Sequence, residues 1–252
     1  MIEQRKAERI QILGIDMEPI RVDRALSLAA HYLEKNRLEY IAFVNTPAAL
    51  SGHDQEEFTA FMNQAALVLP GDNNIEEALG IRTWIEEEPF YQAEFFRRLL
   101  SRLNRQRASV YLVIQKEEEL ERLKKIFQKK YEKIHLEYTL WQEEDSIDSM
   151  VNDINILAPE ILLICGDYNR ICGFMKENGC KINAGLCFCM EAIISDEEEA
   201  VPDWVERFHL VKLYTWFYKK PVRFWHDTLF KRTMKKNYAE QTDDLVQDDE
   251  NS

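Results

Sequence analysis

The stretch Val110-Tyr-Leu-Val-Ile114 carries large hydrophobic side chains at consecutive positions. Because side chains in a strand alternate between its two faces, an unbroken run of this kind indicates a strand that is covered on both faces. The same pattern occurs in Ile161-Leu-Leu-Ile164 and in Leu67-Val-Leu69. A parallel sheet between two layers of helices provides such cover, so the sequence predicts an α/β fold.

Other apolar runs alternate with helical patterns along the chain. The further strand-like runs are Ile10–Ile15, Tyr40–Asn45, Ile134–Leu140 and Ile182–Met190. The helical patterns include Val22–Asn36, Glu117–Tyr131 and a helix that starts at Asp145-Ser-Ile-Asp-Ser and runs through Ala158, and Thr46-Pro47 reads as a cap and first-turn proline. Repeated strand–helix–strand units with right-handed crossovers favour an open, mostly parallel, Rossmann-like sheet with helices on both faces.

The C-terminal part of the chain has a different composition. The regular alternation ends near Ser195, which predicts an α/β domain over residues 1–200. Residues 201–238 are predicted to form a basic, aromatic helical appendage, because the stretch from Leu210 to Tyr238 contains eight Lys and Arg residues and only one acidic residue. The last segment, 239–252, carries six acids and no base, and we expect it to be disordered.

Charge and cysteine content exclude several classes of function. A net charge of −13 over 252 residues disfavours nucleic acid as a partner. The five cysteines include no C-x-x-C pair, so we expect reduced thiols, no metal site and no cofactor. The first residues are charged where a signal peptide needs an apolar region, and no apolar run approaches the length of a membrane span. These features predict a cytoplasmic protein.

Candidate site residues follow three predicted strands. In an open α/β sheet, ligands bind beyond the carboxyl ends of the strands, where helix N-termini present N–H groups to anions. The polar residues at these ends are Asn45, Asp72, Asn73, Asn74, Asp167, Asn169 and Arg170. No phosphate-loop motif accompanies them, so a nucleotide would bind through helix N-termini and Asn side chains. The alternative is that these residues are ordinary helix caps and turn formers.

Several patches, in order, resemble one family, the WecG/TagA/CpsF glycosyltransferases. The opening patches are Ile10-Gln-Ile-Leu-Gly-Ile-Asp16, Val22-Asp-Arg-Ala-Leu26, Phe43-Val-Asn45, Asp54-Gln-Glu-Glu-Phe58 and Ala65-Ala-Leu-Val-Leu-Pro70. The closing ones are Val201-Pro-Asp-Trp204, His209-Leu-Val-Lys-Leu-Tyr214 and Lys220-Pro-Val-Arg-Phe-Trp225. The resemblance implies metal-independent transfer of a sugar from a UDP-sugar to a polyprenyl-linked acceptor at the cytoplasmic membrane.

The motifs that carry the chemistry in this family are altered here. The family's Leu-Pro-Asp-Gly, whose Asp is its proposed base, reads Leu69-Pro70-Gly71-Asp72, so Asp72 is the candidate base. The family's Gly-Gly-x-Phe-Asp corresponds to a stretch that ends in Glu191. A general base must lie within hydrogen-bond reach of the acceptor hydroxyl, and a one-residue displacement on a turn changes that reach. Two hypotheses follow: an active transferase of cell-envelope polysaccharide assembly, or a catalytically silent relative that is a binding or scaffolding partner, homo- or hetero-oligomeric, in that pathway.

The appendage combines interfacial aromatics with cations. Its candidate membrane-surface residues are Trp216, Lys219, Lys220, Arg223 and Trp225. On an amphipathic helix this composition favours binding to an anionic membrane surface. The alternatives are that the aromatics pack on the α/β domain beneath a solvated basic face, or that the cations neutralise the acidic body or tail.

Overall fold

A computed structural model describes residues 9–35, 37–84, 91–142, 147–191 and 227–236, and these ranges contain one six-stranded parallel sheet and one two-stranded antiparallel sheet. The strands are β1 (Ile10–Ile12), β2 (Ile15–Met17), β3 (Glu39–Val44), β4 (Leu67–Pro70), β5 (Ser109–Ile114), β6 (His135–Leu140), β7 (Ile161–Cys165) and β8 (Leu186–Met190). The parallel sheet has the order β4-β3-β8-β7-β5-β6. The predicted α/β, Rossmann-like fold is confirmed.

Helices connect the strands. They are α1 (Val22–Leu33), α2 (Thr46–Gly52), α3 (Glu56–Gln64), α4 (Asn73–Ala78), α5 (Tyr91–Gln106), α6 (Glu117–Lys130), α7 (Ile147–Leu157), α8 (Tyr168–Asn178) and α9 (227–236), with short 3₁₀ turns at Arg82–Trp84 and Gly179–Lys181. The first-turn cap of α2 is Asn45 and not Thr46, because the Asn45 side chain accepts the Ala48 N–H. The helix predicted at Val22–Asn36 is slightly too long, because α1 ends at Leu33.

The strand order shows where the winding direction of the chain changes, which is between β3 and β5 in the middle of the sheet. From this middle the chain winds outward in two directions, from β3 to β4 and from β5 to β6. Strands β7 and β8 then fill the gap between β5 and β3. Ligands of open α/β sheets bind at the carboxyl ends of strands where the winding direction changes.

Aromatic side chains cover both faces of the central strands. On one face Phe43 and Phe188 contact Phe95 and Phe96 of α5, with ring centroids 5.2–5.7 Å apart. On the other face the side chains of Tyr40, Phe58, Phe61 and Tyr168 pack together. Strands β5, β7 and β8 are buried along almost their whole length, as their apolar runs predict. Each face buried in this way stabilises the sheet by excluding apolar surface from water.

The first apolar run is not a single strand, and this prediction is wrong. Residues 10–17 form an antiparallel hairpin, in which Ile12 pairs with Ile15 across a two-residue turn. Leu13 and Gly14 both have positive φ, 50° and 79°, which matches the twist that such a turn requires. Asn63 of α3 fixes the hairpin by accepting the Asp16 N–H at 2.9 Å and donating to the Gly14 carbonyl at 3.1 Å.

The C-terminal calls fall only partly within the described ranges. Helix α9 lies inside the predicted appendage, and its Phe230 is buried in the core of the α/β domain. Its exposed side is basic, with Lys231, Arg232, Lys235 and Lys236. The five candidate membrane-surface residues, the start of the appendage and the acidic tail lie outside the described residues, as does the cap predicted at Asp145.

The cysteines are free thiols, and four of the five are buried. Cys187 and Cys189 lie on β8, where both are fully buried, as the sequence predicts. Burial raises the pKa of the Cys165 and Cys189 thiols well above its usual value. Within the described ranges, no helix has the length and hydrophobicity needed to span a bilayer.

Candidate functional site

The candidate site lies at the carboxyl ends of four neighbouring strands, β4, β3, β8 and β7. The residues that follow these strands are Asp72, Asn45, Glu191 and Asp167, in that spatial order. All four strands are parallel, so their carboxyl ends meet at one edge of the sheet. The predicted convergence of the ends after β3, β4 and β7 is therefore confirmed.

A close backbone approach shapes the β3–β4 end of the site. The Gly71 N–H donates to the Val44 carbonyl at 2.7 Å. A Cβ at position 71 would lie 3.0 Å from the Val44 carbonyl carbon and 3.1 Å from the Asn45 nitrogen. An aspartate at position 71, as in the family's Leu-Pro-Asp-Gly, would therefore require the two strand ends to move apart. The order Gly71-Asp72 fits this backbone.

Asp72 joins the beginnings of two helices. One carboxylate oxygen accepts the Ile75 N–H at 3.1 Å and so caps α4. The other accepts the Thr46 N–H, the first of α2, at 2.6 Å. Thr46 is only 1% exposed, so this N–H has little access to water. Both oxygens of the candidate base therefore hold backbone donors.

Asn45 connects β3 with β8. Its side-chain oxygen accepts the Ala48 N–H at 2.9 Å, which leaves its amide nitrogen free to donate. That nitrogen donates to Glu191 Oε2 at 2.6 Å, across 146 positions of sequence. Since the amide oxygen is used by α2, the amide group is held in one orientation and presents its N–H₂ to the carboxylate.

Glu191 is a half-buried carboxyl group in a mixed electrostatic environment. Burial raises its pKa above the ordinary value, and the nearby carboxylates of Asp167 and Asp72 raise it further. The Asn45 hydrogen bond and the positive charge of Lys116 act in the opposite direction. The net effect is a carboxyl group whose pKa is raised, a property typical of catalytic acids and bases as well as of structural ion clusters.

Helix α9 reaches the same site. Asn74 of α4 donates to Thr46 Oγ1 at 3.2 Å and to Asp227 Oδ1, at the start of α9, at 2.6 Å. Asn74 therefore links α2, α4 and the C-terminal helix. Asn73 is half-buried, and its side-chain oxygen has no hydrogen-bond partner among the described residues.

The β7 end holds Asp167, which caps α8. Its Oδ1 accepts the N–H groups of Asn169 and Arg170 at 2.8 and 3.4 Å. Asn169 is exposed in the first turn. The guanidinium of Arg170 turns towards β6, where it lies 4.4 Å from the ring centroid of Trp141 and donates to the Gln142 carbonyl at 3.0 Å. Arg170 is thus held by stacking and a hydrogen bond away from the centre of the cluster.

Five N–H groups of the helix N-termini at this edge are already bonded within the protein. The N–H groups of Thr46, Ala48 and Ile75 donate to Asp72 or Asn45, and those of Asn169 and Arg170 donate to Asp167. These are the donors that sequence analysis assigned to a diphosphate. An anion that used them would have to displace carboxylate caps.

Buried hydrogen bonds stabilise the strands that carry the site. The Tyr168 hydroxyl donates to the Phe43 carbonyl at 2.6 Å and lies 2.9 Å from the Cys189 carbonyl. It therefore bridges β3 and β8 two residues before Asn45 and Glu191. On the β4 side, Glu76 is fully buried and accepts from Arg82 Nη1 and the Tyr91 N–H, both at 2.8 Å. Burial raises the pKa of Glu76 in spite of these partners.

A cavity of about 710 Å³ lies elsewhere. It is lined by residues at the amino ends of the strands, including Lys35, Arg37, Cys180 and Gly185. Both cations on its rim are paired with Glu39, at 2.7 and 2.9 Å. The cavity is therefore separated from the polar cluster by the length of the sheet, and we assign the candidate site from the cluster.

The sequence-predicted residues divide into two sets. Asp72 and Asn74 both bond to Thr46, and Asn45, the residue before Thr46, bonds to Glu191, with Asp167 beside them. Asn73, Asn169 and Arg170 take no part in these bonds. Two of the bonding partners, Glu191 and Asp227, were not among the predicted site residues. A charged residue directly after the apolar run of β8 was the available signal for Glu191. In the described ranges, no three His, Cys, Asp or Glu side chains form a group able to hold a metal.

Comparison with known proteins identifies the family of the chain. The model of the "Glycosyl transferase WecG/TagA/CpsF family" matches residues 10–235, which is nearly the whole chain. None of the curated proteins that were compared with the chain matches it. The match covers both the sheet and α9, the elements that contribute the polar cluster. The chain belongs to the WecG/TagA/CpsF family of glycosyltransferases, which acts in the synthesis of cell-envelope polysaccharides.

Proposed function

We propose that this protein transfers a hexosamine-type sugar from a UDP-sugar to a polyprenyl-linked acceptor. The observation that carries this proposal is the clustering of Asn45, Asp72 and Glu191 at the carboxyl ends of adjacent parallel strands, where Asn45 bonds to Glu191 and Asp72 bonds to the Thr46 N–H. This is where open α/β sheets bind their ligands. A half-buried carboxyl group with a raised pKa at that position suits proton transfer.

Binding of the donor is expected to be weak. The described cluster contributes the carboxylates of Asp72, Asp167 and Glu191, and a diphosphate near them is repelled unless cations offset the charge. Five helix N–H groups at this edge, those of Thr46, Ala48, Ile75, Asn169 and Arg170, are occupied by the side chains of Asp72, Asn45 or Asp167. We therefore expect UDP to bind in the high micromolar range, about −5 kcal/mol.

A second candidate is a catalytically silent relative that binds a partner in the same pathway. The observation that favours it is the double capping by Asp72, which places the predicted base in a structural role. On this alternative the network stabilises the fold, and the protein pairs with another copy or with a different chain. Sugar transfer would then be absent, although the family fold is retained.

We place the protein at the inner face of the cell membrane as a peripheral protein. The support is the basic, aromatic segment of Trp216, Lys219, Lys220, Arg223 and Trp225, together with the exposed cations of α9. Each cation close to an anionic leaflet contributes about 1 kcal/mol to binding. A lipid-linked acceptor would then be reached at the surface, without a membrane span.

Two measurements decide between the candidates. Calorimetry with UDP measures donor binding, and a transfer assay with UDP-N-acetylhexosamines and a short-chain polyprenyl-linked acceptor measures turnover. The transferase proposal expects weak UDP binding and turnover above that of heat-inactivated protein. Absence of turnover with every donor tested, in protein shown to be folded, would contradict it and favour the silent relative.

A further inference from the structure

We propose that the general base of this protein is Glu191 and that Asp72 is a positioning residue. This inference rests on the proposed transferase function and names the side chain that performs its proton transfer. It assigns to β8 a role that sequence comparison places at the end of β4.

Asp72 has the less suitable geometry for a base. One of its oxygens holds the first N–H of α2 at 2.6 Å and the other holds the Ile75 N–H at 3.1 Å. Each oxygen is therefore already engaged by a backbone donor, with which a substrate hydroxyl would have to compete. Rotation of the side chain towards a substrate would break both caps and leave the buried Thr46 N–H without a partner.

Glu191 has one oxygen held and one available. Oε2 accepts from Asn45 Nδ2 at 2.6 Å, and no other described residue donates a hydrogen bond to the carboxylate. The Asn45 amide is itself fixed by the Ala48 N–H, so the orientation of the Glu191 carboxylate is set by a side chain that cannot rotate freely. A base that is held at one oxygen can accept a proton at the other.

Charged and polar groups that follow several strands of the sheet set the proton affinity of Glu191. Asp72 lies at the end of β4, Asp167 and the Tyr168 phenol follow β7, and Lys116 follows β5. The two carboxylates and the burial of the side chain favour the protonated form, whereas Lys116 and the Asn45 amide favour the ionised form. A carboxyl group balanced in this way accepts a proton more readily than a fully solvated glutamate.

In the transfer step the free oxygen of ionised Glu191 removes the proton of the acceptor hydroxyl. The electron pair of that O–H bond forms the new bond from the acceptor oxygen to the anomeric carbon. The bond between the anomeric carbon and the β-phosphate oxygen breaks, and its electron pair leaves on UDP. Glu191 then releases the proton to solvent, so donor and acceptor become glycosylated acceptor, UDP and one proton.

The test compares Glu191→Gln with Asp72→Asn and with Glu177→Gln as a matched control on the exposed end of α8. Gln at position 191 still accepts from Asn45 through its side-chain oxygen, so the fold is expected to remain intact. Transfer is measured as kcat, KM and the pH dependence of kcat/KM, and UDP binding is measured by calorimetry. Loss of a general base lowers kcat by about 10²- to 10⁴-fold.

We expect Glu191→Gln to lower kcat in this range, to bind UDP no more weakly than wild type because one carboxylate near the diphosphate is neutralised, and to abolish the acidic limb of the pH profile. Asp72→Asn should retain that limb, and Glu177→Gln should match wild type. Glu191→Asp should retain the limb with a reduced kcat, because the shorter side chain keeps the carboxylate but increases its distance from the acceptor hydroxyl.

Three results would overturn the inference. Wild-type kinetics in Glu191→Gln would show that another group is the base. A weakened UDP Kd with unchanged kcat would make Glu191 a donor-binding residue. Loss of the acidic limb in folded Asp72→Asn alone would return the role to Asp72. A wild-type protein without turnover would instead refute the proposed function, and with it this inference, and is recognised before any variant is measured.

Discussion

Replacing Asp72 by alanine should destabilise the fold whether or not the protein is an enzyme. The substitution removes the α4 cap, which contributes about 1 kcal/mol in typical helices. It also leaves the Thr46 N–H, in a residue that is 1% exposed, without the acceptor that lies at 2.6 Å, at a cost of about 1–3 kcal/mol. The sum is about 2–4 kcal/mol in the free energy of unfolding.

Urea unfolding followed by circular dichroism measures this difference, provided that the slope of the transition is unchanged. For a chain of this size the melting temperature should fall by roughly 5–15 °C. Asp54→Ala is the matched control, because the Asp54 side chain is 86% exposed and is not a helix cap. Its stability should stay within about 0.5 kcal/mol of wild type.

A stability of Asp72→Ala equal to that of the Asp54→Ala control would refute the double-cap reasoning. The measurement also bears on chemistry, since an inactive Asp72→Ala protein proves a catalytic role only if the protein is folded at the assay temperature. Asp72→Asn separates the two contributions. It keeps the cap on Ile75 but turns an N–H₂ group towards the Thr46 N–H, so it should lose only the second part.

Three further predictions concern the backbone, pH and the membrane. Gly71→Ala should lower the unfolding free energy by about 1–3 kcal/mol in urea titrations, since the new Cβ would press on the Val44 backbone at 3.0 Å; wild-type stability would mean that the strand ends separate easily. Because the folded pKa of Glu191 is raised above its ordinary value of 4.5, its stabilising contribution is complete below that value and is lost as pH rises through the raised pKa; Glu191→Gln should flatten this decline, and parallel pH–stability curves would contradict it. Wild-type protein should sediment with anionic liposomes at low salt and dissociate as salt is added. Replacing Lys219, Lys220 and Arg223 together by Glu should abolish sedimentation. Undiminished binding of this variant would mean that these cations form only a solvated face.

The architecture was accessible from the sequence because its central strands are covered on both faces. The runs in β5 and β7 are apolar at consecutive positions, and few arrangements other than a helix-covered parallel sheet bury such strands. The hairpin at residues 10–17 was missed because hydrophobicity does not report a reversal of direction. Leu13 adopts positive φ there, which is uncommon for a leucine and leaves no signature in the apolar pattern.

The site was predicted in part, for a reason of topology. Parallel strands bring Asn45 and Asp72 to one edge, and this required only the strand assignments. The pairing of Asn45 with Glu191 also required the strand order, since β8 inserts beside β3 although 146 positions separate the two residues. The direction of the Arg170 side chain could not be predicted, because it depends on Trp141, a contact that strand ends do not reveal.

The side-chain caps at this edge of the sheet compete with any anionic ligand. The carboxylates of Asp72 and Asp167 occupy N–H groups to which a phosphate could otherwise bind. Affinity for an anion and stability of the fold therefore respond to a cap in opposite directions. A cap that is weakened frees donors for the ligand and loosens the helices, whereas a cap that is strengthened does the reverse. Selection for a more rigid protein at this edge would by itself lead away from nucleotide binding.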